Sequence, residues 1–197
     1  MKMGREMLSV LVIDESRARA GEICAGLALA GYQVAAILPN SAQLTREVEK
    51  LAPDIVLIET DSPSRDTLEH LAVVHEHMPR PVIIFTQEGE SETIREAIRA
   101  GVSAYVVDGL DPKRIKPVIE VARARFAEHQ ALLQELASSN RKLSDRKQLD
   151  RAKGVLMKAR GLDEDSAYHA LRKLAMERGK TMADVAQDVL DMASLFS

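Results

Sequence analysis

Aromatic side chains are scarce in this sequence: three Tyr, three Phe and no Trp make up 3% of its 197 residues. A multi-aromatic stacking platform of the kind that reads single-stranded RNA on a sheet surface cannot be assembled from so few rings. Cysteine occurs once, as Cys24, which excludes an internal disulfide and fits a reducing compartment. A cytoplasmic location is therefore expected, with Cys24 read as a buried, inert thiol. Long apolar runs are also missing. None approaches the roughly 20 residues that a bilayer-spanning helix needs, and Met1 to Met7 has no secretory apolar core, so no membrane role is expected. No glycine-rich phosphate loop, nucleophile elbow or catalytic His/Asp arrangement is present, and an enzyme is not expected. His70, His75 and His77 lack the i, i+4 spacing of a helical zinc site and read as solvent-facing.

Charge is plentiful and unevenly placed. The net charge is -3, yet residues 141–180 carry twelve Lys and Arg against six Asp and Glu, while residues 1–140 carry fifteen against twenty-one. A basic tail on an acidic protein suits a polyanion partner, and equally suits a solvated helix face.

Short runs rich in Val and Ile occur at Ser9–Asp14, Gln33–Leu38, Asp54–Glu59, Pro81–Thr86 and Ala104–Asp108, each followed by a helical pattern. Runs apolar on both faces belong in a parallel sheet covered on two sides, so five of them predict a doubly wound α/β domain. In that topology chemistry sits at the carboxyl ends of the central strands. Asp14, Glu15, Glu59, Thr86 and Asp108 fall there.

Their types and positions, together with Pro53-Asp54-Ile-Val-Leu-Ile-Glu59, Ser62-Pro63 and Phe85-Thr86, resemble the phosphoacceptor pocket of two-component receiver domains over Leu8 to about Val121. Two positions depart from that pattern. Glu59 stands where receivers carry the acceptor aspartate, and Asp108 stands where they carry a phosphate-pairing lysine. A longer carboxylate sits differently, and losing the lysine removes the cation that would stabilise a phosphoryl group. Little or no phosphorylation is expected. Asp14, Glu15 and Glu59 are of the type that holds Mg²⁺, and equally of the type that stays hydrated at a strand end.

From Pro112 the pattern becomes one long helix. Ile115, Ile119, Ala122, Phe126, His129, Leu133, Leu136, Asn140 and Leu143 recur at alternating steps of four and three, lapsing at Lys147 and Asp150. This is a heptad seam, predicting a dimer through Ile119, Phe126, Leu133, Leu136, Asn140 and Leu143, with Asn140 fixing register. An intramolecular helix packed on its own domain is the competing reading. Three amphipathic segments follow. The first continues the long helix to Gly161, the second starts at Asp163 and ends at Gly179, and the third opens on Thr181 with Asp184 three residues on.

Ala152-Lys-Gly-Val-Leu-Met157, Gly161-Leu162, Glu164-Asp165, Ala167-Tyr168, Leu171-Arg172, Ala175-Met176 and Ala183-Asp-Val-Ala186 resemble the ANTAR module, a three-helix RNA-binding output domain of bacterial antiterminators. Receiver, coil and ANTAR tail together are similar to the nitrate-assimilation antiterminators called NasT, where Tyr105-Val-Val-Asp-Gly109 is at home and Glu59 is not. The expected domains are 1–111 receiver-like, 112–147 coil and 148–197 ANTAR. The resemblance implies binding of a leader RNA with paired stem-loops, read-through into nitrate or nitrite assimilation genes, and sequestration by a nitrate-sensing partner protein. Lys147, Arg151, Gly154 and Lys158 share a helix face, and Gly154 has no side chain to hold a phosphate backbone away. Lys153 and Arg160 flank them, while Tyr168, Arg172 and Lys173 are candidates for base reading. Two other functions compete: a DNA-binding response regulator and a protein-interaction adaptor.

Overall fold

A computed structural model of the chain describes residues 7–14 and 17–195. Its strands are β1 Ser9–Asp14, β2 Gln33–Leu38, β3 Ile55–Thr60, β4 Val82–Thr86 and β5 Ala104–Val107. They form one sheet in the order β2-β1-β3-β4-β5, parallel throughout. Helices α1 Arg17–Ala30, α2 Leu44–Leu51, α3 Arg65–His77 and α4 Ser91–Arg99 connect them, followed by α5 Pro112–Arg160, α6 Glu164–Arg178 and α7 Met182–Ser194.

Strand alternation sends each run to two cores, which is why Val and Ile fill both faces. Leu11, Ile13, Val56, Ile58, Val82 and Ile84 meet Leu44, Val48, Leu71 and Val74 on one side of the sheet. Val10, Val12, Leu57, Ile83 and Phe85 meet Ile23 and Leu27 on the other, where Ile115, Ile119 and Ala122 of α5 join them. The chain divides into two compact units, Met1–Gln130 and Ala131–Ser197. The first unit therefore keeps the opening turns of α5, which a boundary at 111 cuts away from the core they complete.

This corrects the seam. Ile119 is fully buried in the core of the first unit, so no partner helix can reach it. Phe126 is half-buried and lines a cleft of about 390 Å³ with Ile94, Ile98, His75 and His129. The stripe is open only further along: Leu133, Leu136 and Leu143 are 44%, 58% and 57% exposed, and every residue from 131 to 144 is exposed. His75 is also not the solvent-facing residue expected. Its ring stacks on that of His129 at 6.3 Å between centroids, and its Nδ1 is buried. His70 Nδ1 lies 3.2 Å from the Ser41 hydroxyl, and Cys24 is half-buried with a free thiol. Among the described residues no helix is long and apolar enough to cross a membrane.

Candidate nucleic-acid interface

The acidic pocket comes together in part. Asp14, the last residue of β1, pairs directly with Glu59, the penultimate residue of β3, at the point where strand order reverses. They are buried to 2% and 3% exposure, and Thr86 beside them is fully buried. The Thr86 hydroxyl donates to the Asp61 carbonyl at 2.8 Å and accepts from the Glu88 amide at 3.1 Å, which ties the β4 end to two loops. Asp108 departs from the expected cluster: it is exposed and holds a left-handed φ of 72°, a backbone that Asp tolerates better than most residues. Glu15 lies outside the described residues. Mg²⁺ keeps several of its waters and is commonly held by one or two carboxylates. Asp14 and Glu59 supply two, side by side and buried, and among the described residues no third His, Cys, Asp or Glu side chain groups with them.

The basic residues of the second unit are set by three well-terminated helices. Gly161, at φ 65°, stops α5, and Gly179, at φ 61°, caps α6 with its amide on the Ala175 and Met176 carbonyls. Asp163 caps the start of α6, its carboxylate accepting from the Ser166 amide at 2.7 Å; hydrogen bonding to the Ser166 backbone, and then to its side chain, holds that carboxyl below its ordinary value. Thr181 and Asp184 form a reciprocal capping box on α7. Ala152, Leu171, Ala175, Val185, Ala186 and Val189 make the core between the three helices. Six mostly small buried residues are a modest core, so the caps matter to its stability.

On this frame Lys147, Arg151, Lys158 and Arg160 are exposed, without an ion-pair partner among the described residues. Gly154 sits among them, mid-helix, and a Cβ built there meets nothing within 4 Å. No packing reason calls for glycine at this site, although glycine costs an interior helix position about 1 kcal/mol relative to alanine. Tyr168 is 41% exposed, its ring edge-on to His169 at 6.0 Å. Arg172 and Lys173 are exposed on the same helix, and Lys173 is 3.9 Å from Glu177.

Lys153 is placed differently from its neighbours. Its ammonium lies 2.9 Å from Asp150 and 2.7 Å from Glu164, bridging α5 to the first turn of α6. The hydrogen bond to Asp150, then that to Glu164, raises its pKa, and the same bond lowers that of Asp150. Lys153 is thus a clamp within the bundle as the chain stands, and its charge is already neutralised. Glu164 is eleven residues away and on another helix, so no helical spacing could have revealed the pair.

The sequence reading also missed a groove of about 850 Å³ on this unit. Its floor is apolar, from Val155, Leu156, Leu174, Val189 and Met192, and Lys158, Arg160, Lys173 and Arg178 stand along it. Arg178 and Met192 carried no signal that would have marked them.

Comparison with known proteins fits both units. Residues 10–120 match the response regulator receiver domain, and residues 137–190 match the ANTAR domain. The transcriptional regulatory protein PdtaR of Mycobacterium tuberculosis H37Rv is 30% identical over 161 residues, spanning 82% of this chain and 78% of the relative. A nitrate regulatory protein of Klebsiella oxytoca is 36% identical over 81 residues, 41% of this chain and 20% of that protein. Among solved structures, the receiver domain of a modulated diguanylate cyclase from Desulfovibrio desulfuricans G20 superposes with a TM-score of 0.55 at 23% identity, over 63% of this chain and 99% of that one. That likeness speaks for the fold alone.

Proposed function

Since this chain belongs to the ANTAR-domain response regulators, we propose that it is an RNA-binding transcription antiterminator, acting on a leader RNA with two stem-loops. The observation that carries this reading is the face of Lys147, Arg151, Gly154 and Lys158. Its cations are exposed and have no ion-pair partner among the described residues, and its glycine has open space above it. Cations neutralise phosphates and fix orientation, while a bare helix backbone lets a strand approach closely. Tyr168 and Arg172, half-exposed and exposed on α6, supply a ring and a guanidinium plane on which unstacked loop bases can lie. Most of these cations precede the first turn of the bundle, whereas a helix-turn-helix reader of duplex DNA carries its base-reading side chains on the second helix.

Two copies join through the exposed part of α5, where Leu133, Leu136, Asn140 and Leu143 form the stripe. Each dimer then presents two bundles to two stems, and the second contact adds effective concentration rather than new chemistry. The domains on this reading are a receiver-like sensor, a pairing coil and an ANTAR output. The genes served are those of nitrate or nitrite assimilation, a choice supported by the name of the Klebsiella relative. A nitrate-sensing partner holds the regulator until the nutrient arrives, so the output is gated without a phosphoryl group at Glu59.

The test is fluorescence anisotropy at one fixed salt concentration with a two-stem leader RNA, a single stem and a DNA duplex of matched length. Preference for the two-stem RNA by at least about tenfold is expected, equivalent to about 1.4 kcal/mol. Equal affinity for the duplex refutes the proposal.

A further inference from the structure

The groove on the second unit shares Lys158 with the Gly154 face but does not include Gly154, and its floor has a different chemistry. Its floor is aliphatic and thioether, its largest exposed member being Met192 at 55%. Among the described residues no aromatic side chain lines it. A nucleobase gains most by stacking on rings, so an aliphatic floor is a poor seat for RNA. Leu and Met side chains suit the apolar stripe of an amphipathic helix, and Met adapts to it because its side chain is unbranched and polarizable.

The rim decides which helix. Among the described residues, Lys158, Arg160, Lys173 and Arg178 oppose a single lining carboxylate, Glu177. Lys158 and Arg160 have no ion-pair partner among the described residues, Lys173 meets Glu177 only at 3.9 Å, and Arg178 meets Asp188 at 3.6 Å. A helix with glutamate or aspartate beside its apolar stripe matches both floor and rim. A second copy of this chain fits less well, because its own exposed stripe on α5 carries Arg141, Lys142 and Arg146 against Glu135 and Asp145, a net positive charge that the rim would repel.

We propose that this groove docks an acidic amphipathic helix of a partner protein. Three of the rim cations, Lys158, Arg160 and Lys173, also belong to the RNA-binding set proposed above. On that reading the helix and the RNA compete for the bundle: the partner masks the output by occupying charge that the RNA needs, without covering Gly154.

The probe is a fluorescein-labelled peptide with leucine at i, i+3, i+4 and i+7 and glutamate at most other positions, measured against a scrambled isomer of equal charge on the full-length chain. The amphipathic peptide should bind at least about tenfold more tightly than the scramble. Met192→Glu and Met192→Lys should both weaken it by about that factor, because both spoil the floor whatever their sign. Lys173→Glu, at a side chain 78% exposed and so without consequence for folding, should weaken it severalfold. Unlabelled leader RNA should displace the peptide.

Equal binding of peptide and scramble overturns the proposal, as does weakening by Met192→Glu but not Met192→Lys, since either leaves charge alone at work. If the Met192 variants weaken RNA and leave the peptide untouched, the groove is an RNA subsite. If they shift the sedimenting mass instead, its occupant is a second copy. Simultaneous binding of peptide and RNA overturns the competition. A wild-type chain that binds no leader RNA refutes the antiterminator reading, and the peptide arms still judge the groove.

Discussion

Replacing Gly154 with alanine should make the protein more stable and worse at binding RNA. The helix around Gly154 is regular, and the added Cβ has no atom within 4 Å to collide with, so the native state accepts the methyl group without strain. Alanine then recovers the backbone entropy that glycine gives up on folding, about 1 kcal/mol in an exposed helix interior. For a unit of 60–100 residues, that corresponds to a rise of roughly 4–8 °C in the melting transition. The same methyl group stands on the face of Lys147, Arg151 and Lys158, where the RNA backbone is to lie. We expect an affinity loss of about tenfold, with little change in salt slope because no cation is lost. Calorimetry and anisotropy on the same preparation measure both. A melting temperature that falls would refute the open-space argument. One that rises with RNA affinity intact would remove Gly154 from the contact surface.

Lys153 and Arg160 should separate when each is replaced with glutamine. Arg160→Gln should lower the salt slope of RNA binding by roughly 0.7–0.9, one phosphate contact, while Lys153→Gln should leave the slope in place and lower the melting temperature of the bundle, because its ammonium already serves Asp150 and Glu164. Ile119→Ala should cost the first unit about 2–5 kcal/mol in denaturant unfolding, as a buried core truncation, and leave the dimer intact. Leu136→Lys should do the opposite, giving a monomer by sedimentation with unchanged stability of the first unit. Tyr32 gives a pH test. Burial, then its hydrogen bond to Glu120 at 2.7 Å, raises its pKa from 10.0 to about 12. The folded state therefore holds the phenol proton longer than the unfolded chain, so this stabilisation is complete below pH 10 and is lost as pH rises from 10 to about 12. Tyr32→Phe should flatten that alkaline loss in equilibrium unfolding, and an identical profile would show the loss lies elsewhere.

The fold was legible because its signals are local. The Val and Ile runs that end at Asp14, Leu38, Glu59, Thr86 and Asp108 predicted five strands whose observed ends differ by at most one residue. Asp163 and Thr181 announced the starts of α6 and α7 through side chains that bond amides three residues on. What failed depends on what covers a surface. The four-and-three repeat runs unbroken from Ile115 to Leu143, yet its first members complete the sheet's core and only its later ones remain open. Period alone does not say whether a stripe faces its own sheet or another chain. Lys153 looked like its basic neighbours until Glu164 came beside it in space. Asp108 follows β5 as expected, but its left-handed backbone leaves it exposed, whereas Asp14 and Glu59 are buried. The groove joins residues from three helices, and no single stretch contains its pattern of apolar floor and basic rim.

The central claim is that this chain reads paired RNA stems with the exposed basic face of α5. The direct test is to titrate a two-stem leader RNA against single-stem RNA and duplex DNA with the wild type and a Lys147→Glu, Arg151→Glu, Lys158→Glu triple variant, across a salt series. We expect tight two-stem binding by the wild type, at least about tenfold weaker binding of the other polymers, and a salt slope smaller by about two to three in the triple variant. Affinity and slope unchanged by reversing all three charges would contradict the account.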